Sequence, residues 1–457
     1  MPTSKMVTNI SVNVLRFEDG KPYFILTTFI NRIKTVTLEM KSFDAASAYH
    51  FMERLVKDIG NRESATDSER RAAEQIKAWF EEFGLTDIRV EEFEVQTSRI
   101  LKEEASLPDG TRLECAAVGN SLSTPPEGVE GEVIALESTS QEALKNIKDK
   151  IVAFTIVLYE KDFHKVVDAG PVALIYTSTA PLAPTIYRSV RAEYTEKKRI
   201  PAVSMAHDDV LNVLKGPKRL KLITEVENIT AKSQNVVGEV SGRLDGEDIL
   251  IGGHYDTVRN VVGAHDNAAG TAVVLELARI FAKERLNRTL RVAAWGSEEL
   301  GLRGSLNYAE KKENIKNLKF YFNFDVHGIL LGGLNAIVLG PDDLKSLLRF
   351  TTKELGIPLQ ITSELPPGSS DYMPLAFYGV PSITLSRRGG AAQIMHTSLE
   401  DLRWCGPDAF VPAGKLSQTL LERLLYAEEL PFEREIPPDI AKALEKRFQD
   451  SAIRKKV

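Results

Sequence analysis

Cysteine is nearly absent from this chain. Its 457 residues include two, Cys115 and Cys405, too few for a disulfide framework or a zinc site of four thiolates. A basic excess is missing too. Lys and Arg number 58 against 64 Asp and Glu, a net charge of −6, the wrong sign for a protein that binds nucleic acid by displacing counterions. The longest strongly apolar run, residues 151–158, has strand length and falls far short of the roughly 20 residues that span a bilayer. The opening residues, MPTSKMVTNISVNVL, have no apolar stretch between a basic start and a cleavage site, so no secretory signal is expected. These absences lead to the expectation of a soluble cytoplasmic protein without nucleic-acid or membrane partners.

Apolar residues make up 43% of the chain and charged residues 27%, the balance of a folded globular protein. The length implies two or three domains. Residues 1–45 alternate apolar and polar positions around Asp19-Gly20, which predicts a small antiparallel β extension. Phe51, Leu55 and Ile59 then lie on one helix face. A second helix is expected over 67–83, with Asp67 or Ser68 as N-cap and Gly84 as C-cap, and a strand over 87–95. Residues 101–231 differ in character. They hold short strands near 131–136, 151–158 and 172–176 and a proline-rich stretch at 180–184, and read as a separate β-rich module with one or two helices.

From residue 233 strands and helices alternate. Strands are expected at 249–253, 290–295, 319–324 and 381–386, and helices at 268–283, 300–312, 344–355 and 409–425. This pattern predicts an α/β fold, a doubly wound mixed sheet with helices on both faces. Its body comprises residues 46–100 and 232–430, with 101–231 as an insertion. Residues 431–457 form a tail with one peripheral helix.

In such a sheet, function gathers at the carboxyl ends of the strands. Those ends carry Gly252-Gly253-His254-Tyr255-Asp256, then Gly263-Ala264-His265-Asp266-Asn267-Ala268-Ala269-Gly270 opening a helix, Trp295-Gly296-Ser297-Glu298-Glu299, Asn323-Phe324-Asp325 and, much later, Met395-His396-Thr397. Imidazole nitrogen and carboxylate oxygen both suit zinc. Two histidines and three carboxylates are too many for one tetrahedral ion with an open position. They match two ions about 3.5–4 Å apart that share one carboxylate. Adjacent carboxylates at Glu298-Glu299 point different ways, so one can bind metal while the other handles a proton.

The set resembles the co-catalytic di-zinc aminopeptidases, a family related to glutamate carboxypeptidases, the transferrin receptor and glutaminyl cyclases. GGHYD, GAHDNAAG, the paired glutamates of WGSEELGLRGS, the aspartate of NFD, and MHT carry the likeness. It covers residues 46–100 and 232–430, and the insertion resembles a protease-associated domain. The resemblance implies peptide substrates, a possible homo-oligomer and two Zn²⁺ ions per chain, with cobalt or manganese as alternatives. It further implies that Asp266 bridges the ions, that His254 and Asp325 complete one site, and that Glu299 and His396 complete the other. Glu298 becomes the general base toward the activated water, and Asp256 holds the His254 ring through its other nitrogen.

Other residues carry further expectations. His265 stands where many members have an acidic or amide residue, and no metal contact is expected of it. His327 reads as a satisfied histidine beneath the site. Tyr372 follows the Ser370-Asp371 pair, whereas many members place a tyrosine before it, and is a candidate oxyanion donor. Arg387 and Arg388, which follow the strand expected at 381–386 and precede a mobile turn at Gly389-Gly390, are candidates to hold a substrate carboxylate as a fork. The inserted module is expected to act as a lid or docking wall outside the chemistry. The leading reading is an aminopeptidase; a carboxypeptidase, a glutaminyl cyclase and a non-catalytic receptor-like relative are its alternatives.

Overall fold

Strands covered on both faces need apolar side chains at successive positions, and the central strands have them. In Gly242–His254, Ile249 and Ile251 enter one core while Leu250 enters the other. In Leu318–Phe324, Phe320, Phe322 and Phe324 face the first core and Tyr321 the second. Helices Ala45–Arg54, Asp67–Phe83, Ala269–Phe281, Asp342–Leu355 and Val411–Leu425 line the first core. Arg303–Ala309, Tyr372–Phe377 and Pro438–Asp450 line the second. The fold is therefore an α/β doubly wound mixed sheet with helices on both faces.

This computed structural model describes residues 16–18, 21–23, 41–178, 180–451 and 453, in two units, Met1–Ser42 and Phe43–Val457. In the first unit, Arg16–Glu18 pairs antiparallel with Lys21–Tyr23, Arg16 opposite Tyr23. The remaining strands expected of the β extension lie outside the described residues.

Within the second unit, Ser382–Gly389, Leu318–Phe324, Gly242–His254 and Leu286–Trp295 run parallel in that order. Their carboxyl ends therefore share one edge. Gly332–Leu339 pairs antiparallel beyond Ser382–Gly389, and Arg219–Val240 antiparallel beyond Leu286–Trp295. The first helix is capped by Asp44, whose carboxylate accepts from the amides of Ala46 and Ser47. The second is capped by Thr66, not by Asp67 or Ser68: Thr66 is the last extended residue, and its hydroxyl accepts from the amide of Glu69. Gly84 takes the left-handed C-cap position at φ 91°.

Residue 95 does not end the strand that was expected there. Thr86–Ser106 continues beside Arg219–Val240 along nearly its whole length, from Glu239 opposite Thr86 to Lys221 opposite Ser106. This two-stranded ribbon leads into the inserted segment. There Val129–Ala135, Ile151–Phe154, Ala173–Thr177 and Ala202–Met205 pair in parallel, with helices Glu160–Asp168 and His207–Lys215 among them. The strand Ile151–Phe154 is buried at every position because apolar clusters cover both of its faces. In the tail, Ile440, Leu444 and Phe448 recur every four residues and are buried, and the Phe448 ring stacks on Phe377 with centroids 4.2 Å apart. Among the described residues no helix is long and apolar enough to cross a membrane.

One glycine ties the helix Ala269–Phe281 to the strand ends. A Cβ on Gly270 would lie 2.2 Å from Asn267 Oδ1 and 2.3 Å from the Phe324 carbonyl oxygen, and that carbonyl already accepts from Asn267 Nδ2 at 2.8 Å. Gly270→Ala is expected to destabilise the fold by about 1–3 kcal/mol through overpacking and to displace the neighbouring Asp266. Urea unfolding would read the first effect and zinc content the second.

Candidate metal centre and active site

The candidate ligands reach the site from the ends of the parallel strands and from the loops that follow them. His254 closes its strand, Glu298 and Glu299 follow Leu286–Trp295, Asp325 follows Leu318–Phe324, and His396 lies past Ser382–Gly389. Asp266 sits in the turn before Ala269–Phe281, with non-helical φ −125° and ψ 89°. Ser297, Val326 and His396 hold positive φ angles of 51°, 62° and 62°. Such a conformation in a β-branched residue like Val326 is costly, and here it turns the chain sharply at the strand end. Strain of this kind concentrates where side chains must converge.

The side chains form two triads that share one residue: His254, Asp266 and Asp325, and Asp266, Glu299 and His396. His254 Nε2 is 3.1 Å from Asp266 Oδ1 and 3.4 Å from Asp325 Oδ1. His396 Nε2 is 3.1 Å from both Asp266 Oδ2 and Glu299 Oε1. The two oxygens of Asp266 thus serve different histidines. Ligand atoms about 2.0–2.2 Å from one tetrahedral zinc stand roughly 3.3–3.6 Å apart, close to these separations. Glu299 Oε1 and Asp325 Oδ1 are buried without a hydrogen bond, so both oxygens are left for a cation. The residues present fit zinc.

Asp256 is wholly buried and does not line the cleft. Its Oδ1 lies 3.4 Å from His254 Nδ1 and accepts the Glu298 amide at 3.0 Å. Its Oδ2 accepts from the Ser64 hydroxyl at 2.6 Å and the Glu299 amide at 3.2 Å. One carboxylate thus orients the imidazole and the adjoining glutamates together. Glu298 lines the cleft but belongs to neither triad. Burial holds its carboxyl well above the ordinary range; His254 opposes the rise, and Glu299, Asp371 and Asp325 add to it.

Glu400 was not singled out from the sequence. It is buried, and its two oxygens accept the backbone amides of Asp266 and His396, each at 2.9 Å. It therefore ties the shared ligand to the last ligand, four residues before it. Asp371 is also fully buried, 2.5 Å from the Ser305 hydroxyl. The pairing of Glu400 with His396 at a four-residue spacing was visible in the sequence, but a lone glutamate in a loop carries little signal.

The remaining candidates separate. His265 and His327 are buried, and burial pushes both to a pKa of about 4. His327 Nε2–H donates to the Leu385 carbonyl at 2.7 Å, and neither histidine belongs to a triad. Tyr372 is 1% exposed, packed in the second core and outside the cleft lining; the structure does not bring it to the ligands. Arg387 and Arg388 lie inside the strand Ser382–Gly389, which runs past residue 386 and takes in Gly389 because Gly332–Leu339 pairs alongside that far. Alternation sends them to opposite faces. Arg387 is engaged by the carbonyls of Ile329 and Leu330 at 2.7 and 3.0 Å, while Arg388 lines the cleft.

The cleft encloses about 320 Å³, and Ser189, Val190 and Arg191 of the inserted segment form part of its wall. The Tyr187 amide donates to the His396 carbonyl at 2.7 Å, so the insertion touches the backbone of a candidate ligand.

The buried acids set a pH dependence for the metal-free chain. Burial raises Glu69 to about 8, with Asp256 adding to the shift. Burial raises Asp371 to about 7. It raises Glu400 to about 8, with Asp266 adding. For His254 burial acts downward, but Asp256, Asp266 and Asp325 outweigh it and the ring is held well above its ordinary value. Each group binds a proton in the folded chain at a pH where the unfolded chain has released it. Unfolding then releases protons, and stability falls as pH rises. The melting temperature of the metal-free protein is expected to be lower at about pH 8.5 than at about pH 5.5; an unchanged or rising value would contradict this.

Fold and donor set together place a candidate divalent-metal site at the carboxyl ends of the strands of an α/β sheet. Residues 235–420 match the model for peptidase family M28. The chain is 27% identical over 289 residues to the probable lipoprotein aminopeptidase LpqL of Mycobacterium tuberculosis, a match that covers 59% of this chain and 57% of that protein. It is 26% identical over 358 residues to aminopeptidase YwaD of Bacillus subtilis, covering 74% and 75%. The crystal structure of a zinc aminopeptidase from Bacillus subtilis superposes with a TM-score of 0.71 at 24% identity, over 87% of this chain and 99% of that one. At that identity the likeness shows the fold.

Proposed function

We propose that the chain is an aminopeptidase that removes amino-terminal residues from peptides with two zinc ions. The observation that carries this reading is the pair of triads joined through Asp266, with Glu298 beside them in one cleft. Divalent ions bound here would supply polarisation of a scissile carbonyl and a more acidic water. His254 and Asp325 would hold one ion, Glu299 and His396 the other, and Asp266 would contribute to both. Asp256 fixes the His254 ring. The Glu298 carboxylate takes the water proton and hands it to the leaving amine. A free α-ammonium group is drawn to the carboxylates of Asp325 and Glu298.

Residues 46–100 and 232–430 form the catalytic body in this reading, and 101–231 an inserted domain of the protease-associated kind; the long ribbon at its base supports that division. Two complete triads favour a two-ion hydrolase over a one-zinc cyclase. An intact donor set with a neighbouring base favours an enzyme over a receptor-like relative. Leucine anilide, an N-acetylated dipeptide and a C-terminally amidated dipeptide separate the readings. Hydrolysis of the first and third with the second refused is expected. Cleavage of the N-acetylated peptide would identify a carboxypeptidase, and cleavage of none would overturn the proposal.

A further inference from the structure

One cleft is lined by both acidic and cationic side chains. The acids are the ligand set with Glu298. The cations include Arg191, which arrives on the inserted segment between Val190 and the short helix Ala192–Thr195. Its guanidinium makes two long contacts with neutral groups, 3.3 Å to the Gly301 carbonyl and 3.4 Å to the Ser369 hydroxyl. Among the described residues no carboxylate comes within ion-pair distance of it. The nearby Arg303 shows the contrast, because both of its terminal nitrogens are taken by Glu193, at 2.5 and 2.7 Å. Arginine offers five N–H donors, so most of those on Arg191 remain unspent at the wall of a cavity that also holds the candidate metal ligands. Burial, with Arg303 alongside, disfavours its charged form, and an anion bound there would relieve that cost.

From this placement we infer that Arg191 binds a substrate carboxylate, so that the enzyme prefers short peptides with a free carboxylate on the leaving side of the cut bond. The inference rests on the aminopeptidase reading and adds the class of peptide. A guanidinium repels the substrate's α-ammonium group, which the carboxylates of Glu298 and Asp325 attract. Opposite charges in one cleft thereby orient a zwitterionic dipeptide. The cavity of about 320 Å³ lies near the lower limit of small-ligand clefts, which suits a short peptide. The carboxylate belongs to the C-terminus or to an acidic side chain just past the cut; both present the planar pair of oxygens that a guanidinium fork matches. In this arrangement the inserted segment selects substrates through a residue of its own, beyond narrowing the entrance.

The test compares wild type, Arg191→Gln and Arg191→Lys on Leu-Gly, Leu-Gly-amide and Leu-Asp-amide. Loss of one charged hydrogen-bond donor is expected to lower kcat/KM for the carboxylate-bearing substrate by about 10–100-fold, mainly through KM, with Leu-Gly-amide unaffected and Arg191→Lys in between. A loss on Leu-Gly points to the terminal carboxylate, and one on Leu-Asp-amide to the side chain. Equal losses on all three substrates, or no loss, would overturn the inference and leave the aminopeptidase intact. If wild type cleaves none of them, the aminopeptidase reading fails. Calorimetric binding of Leu-Gly and Leu-Gly-amide to wild type and Arg191→Gln then still decides whether Arg191 holds a carboxylate: weaker binding of the free acid alone supports it, and unchanged binding refutes it. A matching melting temperature for Arg191→Gln verifies that the variant is folded.

Discussion

Replacing Glu298 with glutamine is expected to lower kcat by about 10²–10⁴-fold while zinc content stays at the wild-type level. Glu298 stands in the cleft with 9% of its surface exposed and takes no part in either triad. Its backbone amide is pinned by Asp256 at 3.0 Å, so the shorter reach of an altered main chain is not a concern. Glutamine keeps the shape and removes the proton acceptor. If Glu298 moves the proton, turnover collapses and KM changes little. Undiminished turnover would remove the residue from the chemistry, and a loss of zinc would make it a ligand. Steady-state kinetics alongside atomic emission on the same preparation separates these outcomes.

The opposite pattern is expected at Asp266. It alone belongs to both triads, and each of its oxygens faces a different histidine at 3.1 Å. Asp266→Ala should weaken binding at both positions, by more than the about 10–100-fold that losing an outer-shell partner costs, and activity should vanish with the metal. Asp325→Ala touches one triad and should spare the site at Glu299 and His396. Two zinc ions bound to Asp266→Ala with wild-type affinity would reject the shared-ligand geometry. Glu400 offers a graded comparison, since it holds the amides of Asp266 and His396 without joining a triad. Glu400→Gln should weaken zinc binding less than Asp266→Ala does.

Much of this arrangement was legible before the fold was known, for a physical reason. The central strands are covered on both faces, so their apolar residues run consecutively, and the polar residues at their ends stand out against them. His254, Glu298, Glu299 and Asp325 each lie within a few residues of such a run. Asp371, Glu400 and Arg191 do not. Their neighbours are supplied by distant segments: Ser305 for Asp371, the amide of Asp266 for Glu400, and Gly301 with Ser369 for Arg191. The strand Gly332–Leu339 was missed because it pairs near the sheet edge and carries polar residues such as Asn335. Without it, the strand reads as ending at Ser386; with it, Arg387 and Arg388 alternate across a longer strand, and Arg387 is spent on two carbonyls. The ribbon beyond Val95 escaped for a similar reason. Its partner strand lies more than a hundred residues away, and its outer half carries charged residues such as Arg99, Lys102 and Glu103.

The pairing of two ions through Asp266 is tested most directly by restoring zinc to the metal-depleted protein while following hydrolysis of leucine anilide. The two triads predict that activity climbs to its plateau at about two equivalents of zinc per chain. Full activity at one equivalent, with no further rise, would contradict the two-ion account.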